Sequence, residues 1–190
     1  MRLKFIFLSC LFLFGASAFA KKVNRVFKQP VLDVDSNVVN LSLNTKSEFN
    51  VIVFLSDICP ISLYDVKILN DIESKYKYSG INIIAIFPNS DMNLSKLKQF
   101  KDTYQVRFDC YIDYKKGITK TLKAKITPEI FLINRNNKLL YNGLLDNAFE
   151  DIKNRRYSNI RNYLADVIEA CLKQSNAIIQ HTQPIGCAIF

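Results

Sequence analysis

The chain has no Cys-x-x-Cys pair, no tryptophan, a single histidine and only five glycines. With His181 as its lone imidazole and no closely spaced cysteines, a structural zinc site would have to gather ligands from distant parts of the sequence, so no metal site is expected. The formal charge of +9 has no dense patch behind it. It is spread over Lys21-Lys22, Lys115-Lys116 and residues 155–161, which suits solubility or loose attraction to anionic surfaces rather than nucleic-acid binding. The apolar run of residues 5–14 is too short to span a bilayer core of roughly 30 Å. Scarce glycine beside abundant Lys, Asn and Ile carries no function.

What is present begins with residues 1–20, which have the layout of a signal peptide. Arg2 and Lys4 form a basic start, residues 5–14 an apolar centre, and Ala18-Phe19-Ala20 a small-residue cleavage site. Cys10 lies inside the apolar centre, too early for a lipoprotein box. Cleavage after Ala20 predicts an exported chain, periplasmic or extracytoplasmic, with no stable membrane insertion. Residues 21–175 are long enough for one domain with a real core, and residues 176–190 lack periodicity and are expected to be a flexible tail. Cys59, Cys110, Cys171 and Cys187 remain after cleavage, an even count that an oxidising compartment permits to pair. Their wide, irregular spacing is unlike that of a small disulfide-stapled scaffold.

The residues around Cys59 are the most informative. Upstream, residues 50–55 read N-V-I-V-F-L, a short β-branched run typical of a buried strand. Downstream, Ile61, Tyr64, Ile68, Leu69, Ile72 and Tyr76 recur at helical spacing. Cys59 therefore stands where a strand gives way to a helix, with Pro60 at the first helical position. Unpaired N–H groups and the helix dipole favour a thiolate there, which predicts a reactive cysteine with a pKa below the free value of about 8.5. Strands are also expected at 31–34, 38–41, 81–87, 107–113, 129–134 and 138–141, and helices near 94–104 and 117–123, with a last helix from Ser158. Asp91 or Asn93 caps the second helix. This order predicts an α/β domain whose parallel core carries an antiparallel edge and whose helices cover both faces. Thr127-Pro128, just ahead of a strand, is either a strand starter or a cis-proline beside the thiol.

Three segments, F-L-S-D-I-C-P-I-S around Cys59, I-T-P-E-I-F-L-I-N at 126–134 and Y-N-G-L-L-D-N at 141–147, resemble the thioredoxin-like redoxins of the AhpC/TSA and TlpA type. The match runs over residues 31–172. The chain is also similar to a bacterial subgroup whose redoxin domain ends in a short tail carrying Gly-Cys, here Gly186-Cys187. The resemblance implies a thioredoxin-like fold with a central mixed sheet, a redox-active Cys59 and a cis-proline at Pro128, with Thr127 beside it. It also implies antioxidant or thiol–disulfide oxidoreductase activity without a bound organic cofactor.

The departures narrow the chemistry. Ser62 stands where dithiol relatives have their second cysteine, and the aromatic residue usually found before the motif is missing. A mixed disulfide at Cys59 must therefore be resolved by an external thiol or by Cys187. About fifteen residues follow the last helix, and an extended chain covers about 3.3 Å per residue, so the tail has the reach. Ser62 itself is read as a first-turn residue bonding backbone, compatible with hydrogen-bonding the thiolate. Peroxiredoxins also place a lone cysteine before a proline, as Pro-x-x-x-Thr-x-x-Cys. Ser56 stands at the threonine position, but Ile52 replaces the proline and Thr127-Pro128 the late arginine, which ranks a thiol peroxidase second. A non-enzymatic Sco-like copper-binding role, from Cys59, Cys187 and His181, ranks third, since His181 reads as a solvated tail residue. Cys171, in an apolar helical stripe, and Cys110, mid-strand, read as packed residues. Glu129, directly after Pro128, is a candidate proton acceptor for Cys59. The partners implied are protein or small-molecule disulfides and thiols, with an external thiol reductant.

Overall fold

The computed structural model describes residues 25–41, 47–174 and 181–190. Residues 1–20, read as a signal peptide, lie outside them. Strands β1 (Pro30–Leu32) and β2 (Val38–Asn40) form an antiparallel pair, its turn held by Asp33, whose carboxylate accepts from the N–H groups of Asp35 and Asn37 at 2.9 and 2.8 Å. Then come β3 (Phe49–Phe54), α1 (Pro60–Tyr76), β4 (Ile81–Phe87), α2 (Leu94–Thr103), β5 (Asp109–Ile112) and α3 (Gly117–Leu122). The chain continues through β6 (Ile126–Thr127), β7 (Glu129–Asn134), β8 (Leu139–Gly143), α4 (Tyr163–Leu172) and β9 (Cys187–Ala188).

Seven strands form one sheet in the order β2-β1-β5-β4-β3-β7-β8. Its centre, β5-β4-β3, is parallel, and the flanking strands on both sides run antiparallel. This is the mixed sheet expected from the element order, with an antiparallel pair at each edge instead of one. All six residues of β3 are buried, because helices cover both faces and alternation sends successive side chains into two different cores. Val51 and Val53 pack with Val66, Leu69 and Ile72 of α1, Leu97 and Phe100 of α2 and Leu164 and Ile168 of α4. Ile52 and Phe54 pack on the opposite face with Ile118 and Leu122 of α3 and with Phe131.

Two boundaries differ from the sequence reading for a physical reason. The last helix starts at Tyr163 rather than Ser158, since Asn162 is the residue that caps it, accepting from Ala165 N at 2.8 Å. Ile160, read as buried, is 39% exposed. Residues 181–190, read as part of a flexible tail, are laid against the domain. Thr182 N donates to Asn142 O at 3.1 Å, and β9 pairs antiparallel with β6, Thr127 opposite Cys187 and Ile126 opposite Ala188. A two-residue strand has no periodicity for a sequence to display.

Candidate active site

Strand β3 ends at Phe54, and the turn of residues 55–59 carries the chain to α1. Ser62 shapes that turn. Its Oγ accepts a hydrogen bond from Ser56 N at 3.2 Å, tying the first helical turn back to the strand end. Ser56 in turn accepts from Asn89 Nδ2 at 2.9 Å through its own Oγ, which fastens the turn to the loop after β4. The Ser62 hydroxyl is thus occupied as a backbone acceptor, and it is the Ser62 N–H that points at the cysteine.

Cys59 occupies the position immediately before α1, in an extended conformation (φ −85°, ψ 117°), with Pro60 first in the helix. Its side chain is fully buried, at 0% exposure. Burial by itself would raise the thiol pKa. Hydrogen bonds from the Cys187 thiol, from the backbone N–H groups of Ser62 and Cys187, and from the Ile61 N–H outweigh burial and hold it below its ordinary value. One contact acts the other way. Thr127 O lies 3.0 Å from Cys59 Sγ and accepts the S–H of the protonated form. The net effect is a thiolate favoured by convergent donors.

Thr127 and Pro128 are joined by a cis peptide bond, and through Thr127 O they form the wall against Cys59. Cys187 adjoins the same wall. It pairs with Thr127 across the β6–β9 ladder, and Thr127 Oγ1 donates to Cys187 O at 3.3 Å. Both sulfurs are free thiols. The Cys187 pKa is pushed up to about 12 by burial, by donating to Cys59 and by the charge on Cys59. Of the two sulfurs, Cys59 is therefore the one that ionises more readily.

Glu129 is buried, but its carboxylate oxygens are taken up structurally. Oε2 accepts from Lys125 N at 3.0 Å and Oε1 from Asn142 Nδ2 at 3.1 Å. It braces β6 and β8 on either side of itself and is not among the groups that perturb Cys59. The acid that does sense Cys59 is Asp65, on the inner face of α1. Burial, then the charges of Asp146 and Cys59, raise its pKa well above 3.8. Asp146 itself accepts from Tyr64 Oη at 3.2 Å and from Ala148 N at 2.8 Å. The Asp65 carboxyl therefore keeps its proton to higher pH than an ordinary aspartate. Sequence periodicity missed Asp65 because it follows apolar residues only. The available signal was a charge inside the helix stripe, between Ile61 and Leu69.

Cys110 is buried and its pKa is pushed up to about 12 by desolvation. Cys171 is half-buried against the core, with its pKa raised by desolvation and by Glu48. Neither is disposed to react. His181 is docked: its Nδ1 accepts from Asn142 N at 3.0 Å and its ring stacks on Tyr141 with centroids 6.4 Å apart. Among the described residues no group of three or more His, Cys, Asp or Glu side chains is arranged to hold a metal ion, and no helix is long and apolar enough to cross a membrane.

A sheet with a parallel centre and antiparallel flanks, a thiol at the start of its first long helix and a cis X–Pro bond against that thiol define a thioredoxin-like protein. The family model described as Redoxin matches residues 20–157, and the chain belongs to the redoxin family. Solved structures agree on the fold. A hypothetical protein from Sinorhizobium meliloti 1021 is 23% identical with a TM-score of 0.72, over 84% of this chain and 88% of that one. A secreted Mycobacterium tuberculosis disulfide oxidoreductase homologous to E. coli DsbE is 13% identical with a TM-score of 0.51, over 63% and 82%. The Xanthomonas campestris bacterioferritin comigratory protein, described with alkyl peroxide reduction activity, is 14% identical with a TM-score of 0.55, over 80% and 94%. No curated protein matches the chain.

Proposed function

We propose that this redoxin is an exported thiol–disulfide oxidoreductase in which Cys59 is the attacking thiolate and Cys187 the resolving thiol. The observation that carries the reading is that the β6–β9 pairing seats Cys187 opposite Thr127, whose carbonyl lies 3.0 Å from Cys59 Sγ at the start of α1. Export rests on the composition of residues 1–20, and residues 21–175 are taken as the catalytic domain.

The steps follow from the charges. Cys59 thiolate attacks one sulfur of a partner disulfide. The Cys59–partner bond forms, the partner S–S bond breaks, and the departing thiolate takes up a proton. Asp65, which senses the Cys59 charge, is the candidate donor for that proton, because loss of that charge removes one of the causes that raise its pKa. The same loss acts on Cys187. Once Cys59 is in a mixed disulfide, neither its charge nor its acceptor lone pairs hold the Cys187 proton, and Cys187 ionises more readily. Cys187 then attacks Cys59 Sγ and the partner's first sulfur leaves as a thiolate. The partner has gained two electrons, and Cys59 and Cys187 have lost two in forming their disulfide. An external dithiol reverses that oxidation and is itself oxidised.

The test offers the reduced protein a model disulfide and, separately, hydrogen peroxide, followed by peptide mapping without reductant. Stoichiometric Cys59–Cys187 crosslink from the disulfide, with slow reaction with peroxide, is the expected result. Rapid sulfenic acid formation at Cys59 without disulfide exchange would replace this reading with a peroxidase. Cys59 left in a stable mixed disulfide beside a free Cys187 would assign resolution to an external thiol.

A further inference from the structure

The segment that carries Cys187 lies against Thr127, the residue whose carbonyl touches the fully buried Cys59. It is fastened at two points. At β8, Thr182 Oγ1 accepts from Leu144 N at 2.8 Å and shares a hydrogen bond with Tyr141 Oη at 2.7 Å, with His181 docked beside it. At β6, the ladder opposite Ile126 and Thr127 is extended by Ile189 N donating to Lys125 O at 2.9 Å. Between them, Gly186 passes so close to Thr127 that any Cβ on it would collide with the Thr127 carbonyl. With the segment in place Cys59 has 0% exposure, so no disulfide reaches it in this state.

Among the described residues, strand β6 pairs only with β9. It is two residues long, it directly precedes Pro128, and its Thr127 carbonyl touches Cys59. An edge of this kind pairs with any extended strand that fits, and the resident strand shows what fits: a backbone with Gly, then Cys, then a small residue. Immediately before Cys59, Ile58 leaves 66% of its surface in water, an apolar contact open to an incoming chain.

Resting on the thiol–disulfide reading of the site, we propose that residues 183–190 form a displaceable strap. An extended, cysteine-bearing segment of a partner polypeptide takes its place on β6, with the partner cysteine where Cys187 now stands. His181 and Thr182 stay docked as the hinge point. The partner strand exchanges for the strap, its disulfide meets Cys59, and the strap returns to resolve the mixed disulfide. The lack of room for a Cβ at Gly186 carries over to the partner, which is expected to place Gly before its cysteine.

The experiment uses the full chain and a fluorescent peptide copying residues 181–190 with Ser in place of Cys187, so that binding is read without thiol chemistry. Gly186→Val unseats the strap by the collision with Thr127, and Ile189→Pro removes the N–H given to Lys125 O. Both variants are first checked for native unfolding behaviour. The expected result is saturable peptide binding to each variant and none to wild type oxidised to the Cys59–Cys187 disulfide. Alkylation of reduced Cys59 should be about tenfold or more faster in the variants, corresponding to the loss of one or two net hydrogen bonds of closed-state preference. A Cys59 alkylation rate unchanged in both variants overturns the strap. Faster alkylation without peptide binding overturns the partner strand and leaves a lid admitting small disulfides. A second peptide with Ala before the Ser should bind more weakly than the Gly form, and equal binding refutes the proposed specificity. The alkylation rates and the peptide binding to the variants are readable whether or not Cys187 resolves Cys59.

Discussion

The buried carboxyl of Asp65 makes a prediction whose sign and size follow from the structure. In the unfolded chain it ionises at its ordinary value near 3.8. In the folded protein burial, Asp146 and Cys59 raise that value. Between the two, the folded protein holds a proton that the unfolded chain has lost, so stability falls as pH rises through that window. For a full proton the slope approaches about 1.4 kcal/mol per pH unit. Asp65→Asn keeps the shape and removes the titration. The difference in unfolding free energy, variant minus wild type, should therefore climb as pH rises above 3.8 and level off once the folded carboxyl has ionised, the variant gaining relative stability throughout that window. A fixed loss from imperfect amide hydrogen bonding would shift the curve without changing its slope. Urea unfolding of both proteins, kept reduced and measured at several pH values, gives the difference directly. A difference that changes by less than about 1 kcal/mol over that range would mean an ordinary, solvated carboxylate, and Asp65 would lose its place as the proton store beside Cys59. The same variant should slow disulfide exchange by Cys59 while leaving its alkylation by a small reagent nearly unchanged, because alkylation requires no proton donor.

Other variants probe the remaining parts of the site. Cys187→Ala removes a donor to the Cys59 thiolate, so the midpoint of Cys59 alkylation against pH should move up; an unmoved midpoint would mean that the two sulfurs are not hydrogen-bonded in solution. Ser62→Ala leaves the buried Ser56 N–H without its acceptor and should cost about 1–3 kcal/mol in denaturant unfolding, while the Cys59 midpoint changes little because the Ser62 backbone N–H remains. Thr182→Val deletes the hydroxyl that accepts from Leu144 N and pairs with Tyr141, and faster Cys59 alkylation at unchanged global stability is the expected outcome.

How much of this was legible in the sequence depended on the length scale of each signal. Strand β4 reads I-N-I-I-A-I-F, apolar but for Asn82, between Gly80 and Pro88, and its ends fall where composition puts them. Helix α1 was also plain, but its buried face was only partly so. Tyr64 and Ile68 are half-buried, while Ser62 and Asp65 lie inside, since a functional site spends inward-facing positions on polar groups that an apolar pattern does not count. The cysteine before Pro60 was readable from the strand and helix that flank it. The strap was not. Its attachment depends on single backbone groups of β6 and β8, on a threonine hydroxyl and on a missing Cβ at Gly186, none of which recurs along the chain. The exchange of partners by Glu129 and Asp65 was hidden for a related reason. Adjacency to Pro128 suggested Glu129, but β-pairing turned its carboxylate to Lys125 and Asn142.

The serine at position 62 and the cysteine at position 187 are two sides of one arrangement. A second thiol in the first turn of α1 would lie permanently beside Cys59, held by the helix. Here that position holds a hydroxyl that braces the turn, and the second thiol sits on a strand attached by a few backbone hydrogen bonds. A thiol fixed in the helix is available at all times, including before a slow partner has been fully reduced or isomerised. A thiol on a removable strand is available only when that strand is seated. In the proposed cycle geometry sets the order of events: the site opens, Cys59 reacts, and resolution waits for the strand to come back. The low Cys59 pKa depends on the same strand, because the Cys187 thiol and its backbone N–H are among the donors that hold it down. Opening the site therefore removes part of the stabilisation of the thiolate at the moment of attack, and a less stabilised thiolate is the stronger nucleophile.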